Sequence, residues 1–513
     1  MLTGAPPSDR VSATPSPRRR VWPWAAGSII ITLAVIAATL IGHRLAAQAR
    51  LASQVVPAPA LPTLAVEAII HAPGAISSLA LDTHTHTLVA QIAPTLCAPT
   101  SQCGGNQTAL AGFAFYDSAT GALRGQSLFT PTDTAHALTD TTHGATYLIS
   151  GGSVTIYSDA TGKQAGKYSS SFDSHLQSVA LDGRTGMIYT VSDTDVAINA
   201  FDAATGQQVA SAPLPPPSAG GTLGSDIRVD ESAGRAYVYN GNAMNPILYA
   251  FNASDLTPLG SWRLPGRGGS LGPLDSAAHT LYLGGAQLDL TTLPADGAGE
   301  QVSAEQTIQS AALGSASHFG VDSATSALVL MTRAGIEARA ANSVQPYAAL
   351  PLIRAATVNS SDSMPWMLPI DASAGLVYMP GDDNTILIVS LARPTSHAAP
   401  NALTAAVMAR AAMAKLLPNT NQIPPFVAAQ TFPLGAGAVE RQYSIHYSDL
   451  GWKGPYAGTA SISDVKAGAT AGDYTMTFTI TWNQLFLRQH SWTVEVTPDG
   501  RVHLLADSGD AIP

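Results

Sequence analysis

From Leu176 to Pro213 short runs of apolar, β-branched and aromatic residues alternate with polar turns, and the turns Asp182 to Gly186 and Asp202 to Gly206 cut the stretch into four runs. The Asp opening each turn offers a carboxylate to nearby backbone N–H groups, and the Gly tolerates positive φ. The pattern therefore predicts four strands joined by hairpins, one antiparallel sheet. It recurs. An Asp that closes a first strand, followed by a short turn and a second apolar strand, stands at Asp82, Asp140, Asp182, Asp230, Asp275, Asp322 and Asp371, in steps of 58, 42, 48, 45, 47 and 49 residues. Seven units with a period near the ~40 to 50 residues of a propeller blade predict a mainly β chain built on a seven-bladed β-propeller.

A ring must close or leave strand edges unpaired. The last unit offers strands near Met367 to Ile370, Leu376 to Met379 and Thr385 to Leu391, and lacks a fourth. The missing strand is expected at the other end of the array, in Thr63 to Ala72 (TLAVEAIIHA). Units five and six lack a clear second Asp-to-Gly turn, so their outer strands are the least regular.

The units resemble YVTN-type β-propeller repeats. Tyr237-Val238-Tyr239-Asn240 differs from that motif at one residue, and the turns Asp117 to Gly121 (DSATG), Asp159 to Gly162 (DATG) and Asp202 to Gly206 (DAATG) match the family's D-x-x-T-G turn. The resemblance covers roughly Leu61 to Arg393. It implies the propeller fold, and a range of functions from binding modules and surface proteins to a few enzymes.

Beyond the repeats, PTSHAAPN reads as a linker and Ala402 to Leu417 as a helix ended by Pro418. Alternating runs at Glu440 to Tyr447, Thr459 to Val465, Tyr474 to Phe486, Ser491 to Val496 and Val502 to Ala506 follow, with a hairpin turn at Pro498-Asp499-Gly500. One helix and a curved antiparallel sheet over 402–513 predict a small α+β domain, nearest in shape to a cystatin-like or NTF2-like layout.

Ahead of the repeats, residues 1–20 are rich in Pro, Ser and Arg, and read as a disordered cytoplasmic tail. Val21 to Gly42 carries no charge over 22 residues, about 33 Å as a helix, against a hydrocarbon core of roughly 30 Å. The stretch 21–43 is therefore expected to cross a lipid bilayer. Four Arg precede it and Arg44 and Arg50 follow, which predicts a cytoplasmic N-terminus, with everything after the span exported. A cleaved signal peptide is the competing reading, since Ala47-Gln48-Ala49 is an A-x-A site, but the apolar run is longer than such peptides use. Residues 44–62 read as a tether and 63–393 as the propeller.

Composition narrows the partners. Charged residues make up 12 % of the 513, and 45 Gly with 35 Pro suit many short strands and turns. The net charge of −10 carries no electrostatic footprint for nucleic acid. Five Lys against 20 Arg point to a GC-rich bacterial genome. Cys97 and Cys103 share one insertion, and in an exported chain two such thiols are expected to form a disulfide. A metal site there is disfavoured because no His stands nearby.

Candidate chemistry is sparse. His84 and His86 mimic a metal pair but fall in a hairpin turn, as do His143 and His279. The residues four before each anchor Asp form a more polar column: Ser78, His136, Ser178, Asp226, Leu271, His318 and Met367. With Arg228, they could set His136, Asp226 and His318 around one tunnel mouth, as metal ligands or as a general base with an electrophilic partner. The plainer reading is a set of hydrogen-bonded channel residues. No nucleophile elbow, zinc-protease motif or phosphate loop is present, and no cofactor or metal is implied. Two functions are therefore carried forward: a membrane-tethered extracytoplasmic binding or scaffolding module for a protein or small ligand, and a propeller enzyme of the lactonase or quinoprotein-like oxidoreductase kind.

Overall fold

The computed structural model describes the strands, turns and helix between Val55 and Gly509. The longer stretches outside the description are 1–54, 93–110, 130–135, 216–224, 241–245, 265–270, 302–306, 310–317, 352–365, 393–399, 417–440 and 447–456. The expected membrane span at 21–43 and the expected Cys97–Cys103 bridge both lie outside it. Among the described residues no helix is long and apolar enough to cross a membrane. Contacts divide the chain after Ser53, and the second unit, Gln54–Pro513, is the one described below.

The chain is mainly β, and its centre is a propeller-like set of seven antiparallel sheets, each built around four strands. The third sheet runs Leu176–Asp182, Met187–Ser192, Ala197–Asp202 and Gln208–Pro213 in sequence order, as the turn pattern predicts. The anchor Asp explains why every unit turns where it does. Each of the seven is buried and accepts backbone N–H groups of its own turn through Oδ1, as Asp182 does from Arg184 at 3.0 Å and Thr185 at 3.2 Å. The fourth residue after the anchor is left-handed and is Gly at Gly144, Gly186, Gly234 and Gly375, but His at His86 (φ 53°) and His279 (φ 49°).

Packing joins the sheets in a cycle. The first strand of each sheet lies against that of the next, and Ile76–Asp82 of the first sheet touches Leu376–Pro380 of the seventh. Seven buried apolar clusters fill the seams between successive sheets. One of them sets Ala68, Ile70, Ile386 and Tyr378 of the last sheet against Leu79, Leu81 and Tyr116 of the first. Each large side chain so buried contributes about 2 kcal/mol.

The N-terminal strand occupies the expected place. Val66–His71 pairs antiparallel with Thr385–Ser390 as the outermost strand of the seventh sheet. The residues just before it also pair with the sixth sheet, through Leu64 N to Ala349 O (3.1 Å) and Ala349 N to Pro62 O (2.9 Å).

Two sheets recruit a strand that the repeat pattern does not show. Ala298–Gln301 adds in parallel to Pro258–Arg263, and Trp366–Met367 adds in parallel to His318–Asp322. The first strand of the seventh unit is therefore split. Met367 belongs to the sixth sheet and only Ile370–Asp371 pairs within the seventh, with Pro369, which has no N–H to donate, between them.

Downstream, the helix Ala402–Leu416 (α1) and the strands Arg441–His446, Ala457–Ala467, Tyr474–Asn483, Leu487–Val496 and Val502–Gly509 match the sequence pattern closely. The strands form one antiparallel sheet, whose outer edge gains Val55–Val56 from the stretch read as a tether. The described side chains of Ala-rich α1 are nearly all buried. The helix lies against Val66–His71 and Pro346–Pro351 on one side and against the last three strands on the other, so Leu403, Ala405, Met408, Ala409 and Ala412 are all buried.

Candidate functional site

The first strands face the axis, and Ser78, His136, Ser178, Asp226 and His318, the polar members of the column singled out above, lie on them. Strand starts leave backbone groups without a ladder partner, and the residues four before the anchors satisfy several of these across the seams. His136 Nε2 meets Leu176 O of the next sheet at 3.3 Å. Ser178 Oγ accepts from Ile227 N at 3.2 Å. Asp226 Oδ2 accepts from Leu271 N at 2.9 Å. His318 is completely buried, on the strand that takes up Trp366–Met367.

His136 and Asp226 each serve a different pair of sheets, and His318 is sealed from solvent. Among the described residues no three His, Cys, Asp or Glu side chains form a group able to hold a metal. Burial lowers the pKa of His318 to about 4. It also lowers that of His136, against the opposing pull of the Leu176 carbonyl. Burial raises Asp226, opposed by the Arg228 charge and the Leu271 N–H.

Arg228 is the member of the predicted set that lines open space. Its Nε donates to Gly272 O (2.9 Å), Nη1 to Ile227 O (2.7 Å) and Nη2 to Leu271 O (2.8 Å), so the side chain is held rigidly across the seam between the fourth and fifth sheets. Two of the acceptors, Leu271 O and Gly272 O, lie where the fifth sheet's ladder is irregular, between Leu271 and Leu274. The guanidinium borders an axial cavity of about 220 Å³ whose other walls include Ser78 and Gln91 of the first sheet, Thr139 of the second, Phe113 and Met367. Among the described residues of that lining Arg228 is the charged one.

Gln91 is a site residue that the motif search passes over. Ser78 Oγ donates to its Oε1 at 2.8 Å, which leaves the amide N–H groups to the cavity. The signal was in the repeat. Gln91 stands nine residues after its anchor, where the other units carry Ile149, Val191, Tyr239, Gly284, Met331 and Pro380.

The turn histidines behave as turn residues. His84 and His86 are exposed, while His143 Nδ1 contacts its own anchor Asp140 at 2.9 Å and His279 Nδ1 reaches Asp230 of the neighbouring sheet at 3.4 Å.

Comparison with known proteins adds little beyond fold. No family model matches the chain, and no curated protein does. Similarity to solved structures is broad, extending to 810 chains, as befits an architecture that hosts many functions. One of them is Raptor of Chaetomium thermophilum, with a TM-score of 0.47 and 10 % identity over 64 % of this chain and 29 % of that one.

Proposed function

We propose that this protein is a membrane-tethered, extracytoplasmic binding or scaffolding module whose seven sheets are the blades of a YVTN-type β-propeller. One observation carries the choice of binding over catalysis. Ionisable groups on the first strands join neighbouring sheets: His136 meets Leu176, Asp226 accepts from Leu271, and Arg228 donates to Gly272 and Leu271. A general base or nucleophile must instead present its reactive atom to substrate.

The tether rests on the uncharged stretch 21–43 and its Arg-rich leading flank. The clamped chain after it supports a platform role, since Val55–Val56 and Val66–His71 join the C-terminal sheet and the ring respectively.

In-cell labelling tests this reading. Leu123 is exposed on the outermost strand of the first sheet, so Leu123→Cys in a chain carrying Cys97→Ser and Cys103→Ser is expected to react with a membrane-impermeant maleimide in intact cells. A photocrosslinker at exposed Val209 is expected to trap a discrete partner in the same cells. Labelling that appears only after lysis would sink the exported reading, and absence of any adduct from Val209 would sink the scaffolding one.

A further inference from the structure

The axial cavity is chemically lopsided. Arg228 brings five N–H donors and uses three on Gly272, Ile227 and Leu271, which leaves two. Among the described residues no carboxylate stands in ion-pair contact with it. Asp226, two residues before it, acts on Arg228 through its charge but does not line the cavity and turns Oδ2 to Leu271 N. Gln91 also lines the cavity, and with its carbonyl accepting from Ser78 its amide N–H groups remain as donors. Among the described residues the lining therefore offers hydrogen-bond donors and a cation, and no carboxylate of its own. Its remaining walls, Val89, Phe113, Ala137 and Met367, are apolar.

Asp226 offsets part of the cost of desolvating this guanidinium, and an anion bound on the cavity side offsets more of it. The guanidinium's planar fork suits a carboxylate, which can accept two N–H bonds in parallel. A cavity of about 220 Å³ has room for an organic acid of a few carbons.

We propose that the axial cavity is a binding site for a small carboxylate with an apolar body, held by Arg228 and Gln91. The assignment rests on the binding-module reading and supplies it with a ligand class. The carboxylate's oxygens meet the free Arg228 N–H groups and the Gln91 amide, and its carbon chain lies on Phe113 and Met367.

Calorimetric titration of the full chain with acetate, succinate and benzoate, with the uncharged amide of each as control, tests the proposal. At least one acid is expected to bind saturably with one site per chain, and its amide not at all. Gln91→Glu sets a negative charge against the ligand without touching the Arg228 contacts, and is expected to weaken binding at least about tenfold. Arg228→Gln is expected to weaken it as much; should that chain not fold, Gln91→Glu and the cavity-filling Ala137→Phe read the same site. No saturable binding of any of the three acids, equal binding of an amide, or unchanged affinity in Gln91→Glu overturns the site. Any of these results leaves the labelling and crosslinking readouts at Leu123 and Val209 untouched, so the two readings fail separately.

Discussion

Tyr378 donates its hydroxyl to the carbonyl of Ser118 at 3.1 Å, joining residues 260 apart in sequence. Tyr189 does the same to Ala253 at 2.7 Å, over only 64 residues. Both tyrosines stand seven residues after an anchor Asp, and both acceptors directly follow the residue that opens a second turn, Asp117 or Asn252. The seventh sheet therefore meets the first as the third meets the fourth, and one repeated contact closes the ring.

Tyr378→Phe removes that donor and leaves a buried carbonyl without it. The expected loss is about 1 to 2 kcal/mol in denaturant unfolding, with Tyr189→Phe costing a similar amount. A ring-closing role predicts one difference. In native-state hydrogen exchange Tyr378→Phe is expected to deprotect Val66–His71 selectively, whereas uniform deprotection would mean that closure is not local to this seam.

The outer strand of the seventh sheet is guarded from α1. Val66 N donates to Thr404 Oγ1 at 2.9 Å, and Asn401, whose Oδ1 accepts from Thr404 N at the start of the helix, donates through Nδ2 to Val66 O at 3.0 Å. Thr404→Val keeps the shape and orphans a buried N–H, so about 1 to 3 kcal/mol of stability should go. Replacing Thr404 by Ser should restore most of it, and a Ser variant as unstable as the Val one would refute the hydrogen-bond account.

Asp159 makes the ring sensitive to pH. It is fully buried in the second sheet, accepts from Thr146 Oγ1 at 2.7 Å and faces the anchor Asp82 of the first. Burial, reinforced by the Asp82 charge, raises its pKa from 3.8 to about 7, while Asp82 accepts from the backbone N–H groups of His84 and Thr85 and from the Thr85 hydroxyl. The folded state thus keeps a proton that the unfolded chain releases near pH 4. The stability this supplies is complete below about pH 4 and falls away as pH rises to about 7, by at most about 4 kcal/mol at ~1.4 kcal/mol per pH unit. Asp159→Asn keeps a donor facing Asp82 at every pH and is expected to flatten the slope; unfolding curves of the two chains from pH 4 to 8 decide it.

Gly272 is required by close approach. A Cβ there would sit 2.1 Å from Phe319 ring atoms and 3.0 Å from Tyr282 O, while its own carbonyl accepts from Arg228. Gly272→Ala is expected to cost about 1 to 3 kcal/mol through overpacking, and to weaken carboxylate binding by displacing the guanidinium. Wild-type thermal stability in that variant would contradict the packing described between the fifth and sixth sheets.

Much of this architecture was legible in the residues. Asp anchors, turn glycines and apolar runs act over four or five positions, and hairpins form from such local preferences, so strand order within each sheet followed from sequence. Closure by Val66–His71 followed as well, because a missing strand at one end and a spare one at the other have a single economical solution. Three things required the folded chain. Whether His136, Asp226 and His318 converge depends on which neighbour each side chain meets across a seam, and those partners lie tens of residues away. The parallel additions of Trp366–Met367 and Ala298–Gln301 leave no periodic trace, since each pairs with a foreign unit. The cavity owes its character to Arg228, Gln91 and Thr139, drawn from three sheets. A strand's alternation tells which face a residue occupies, but only the packing of sheet on sheet determines what that face encounters.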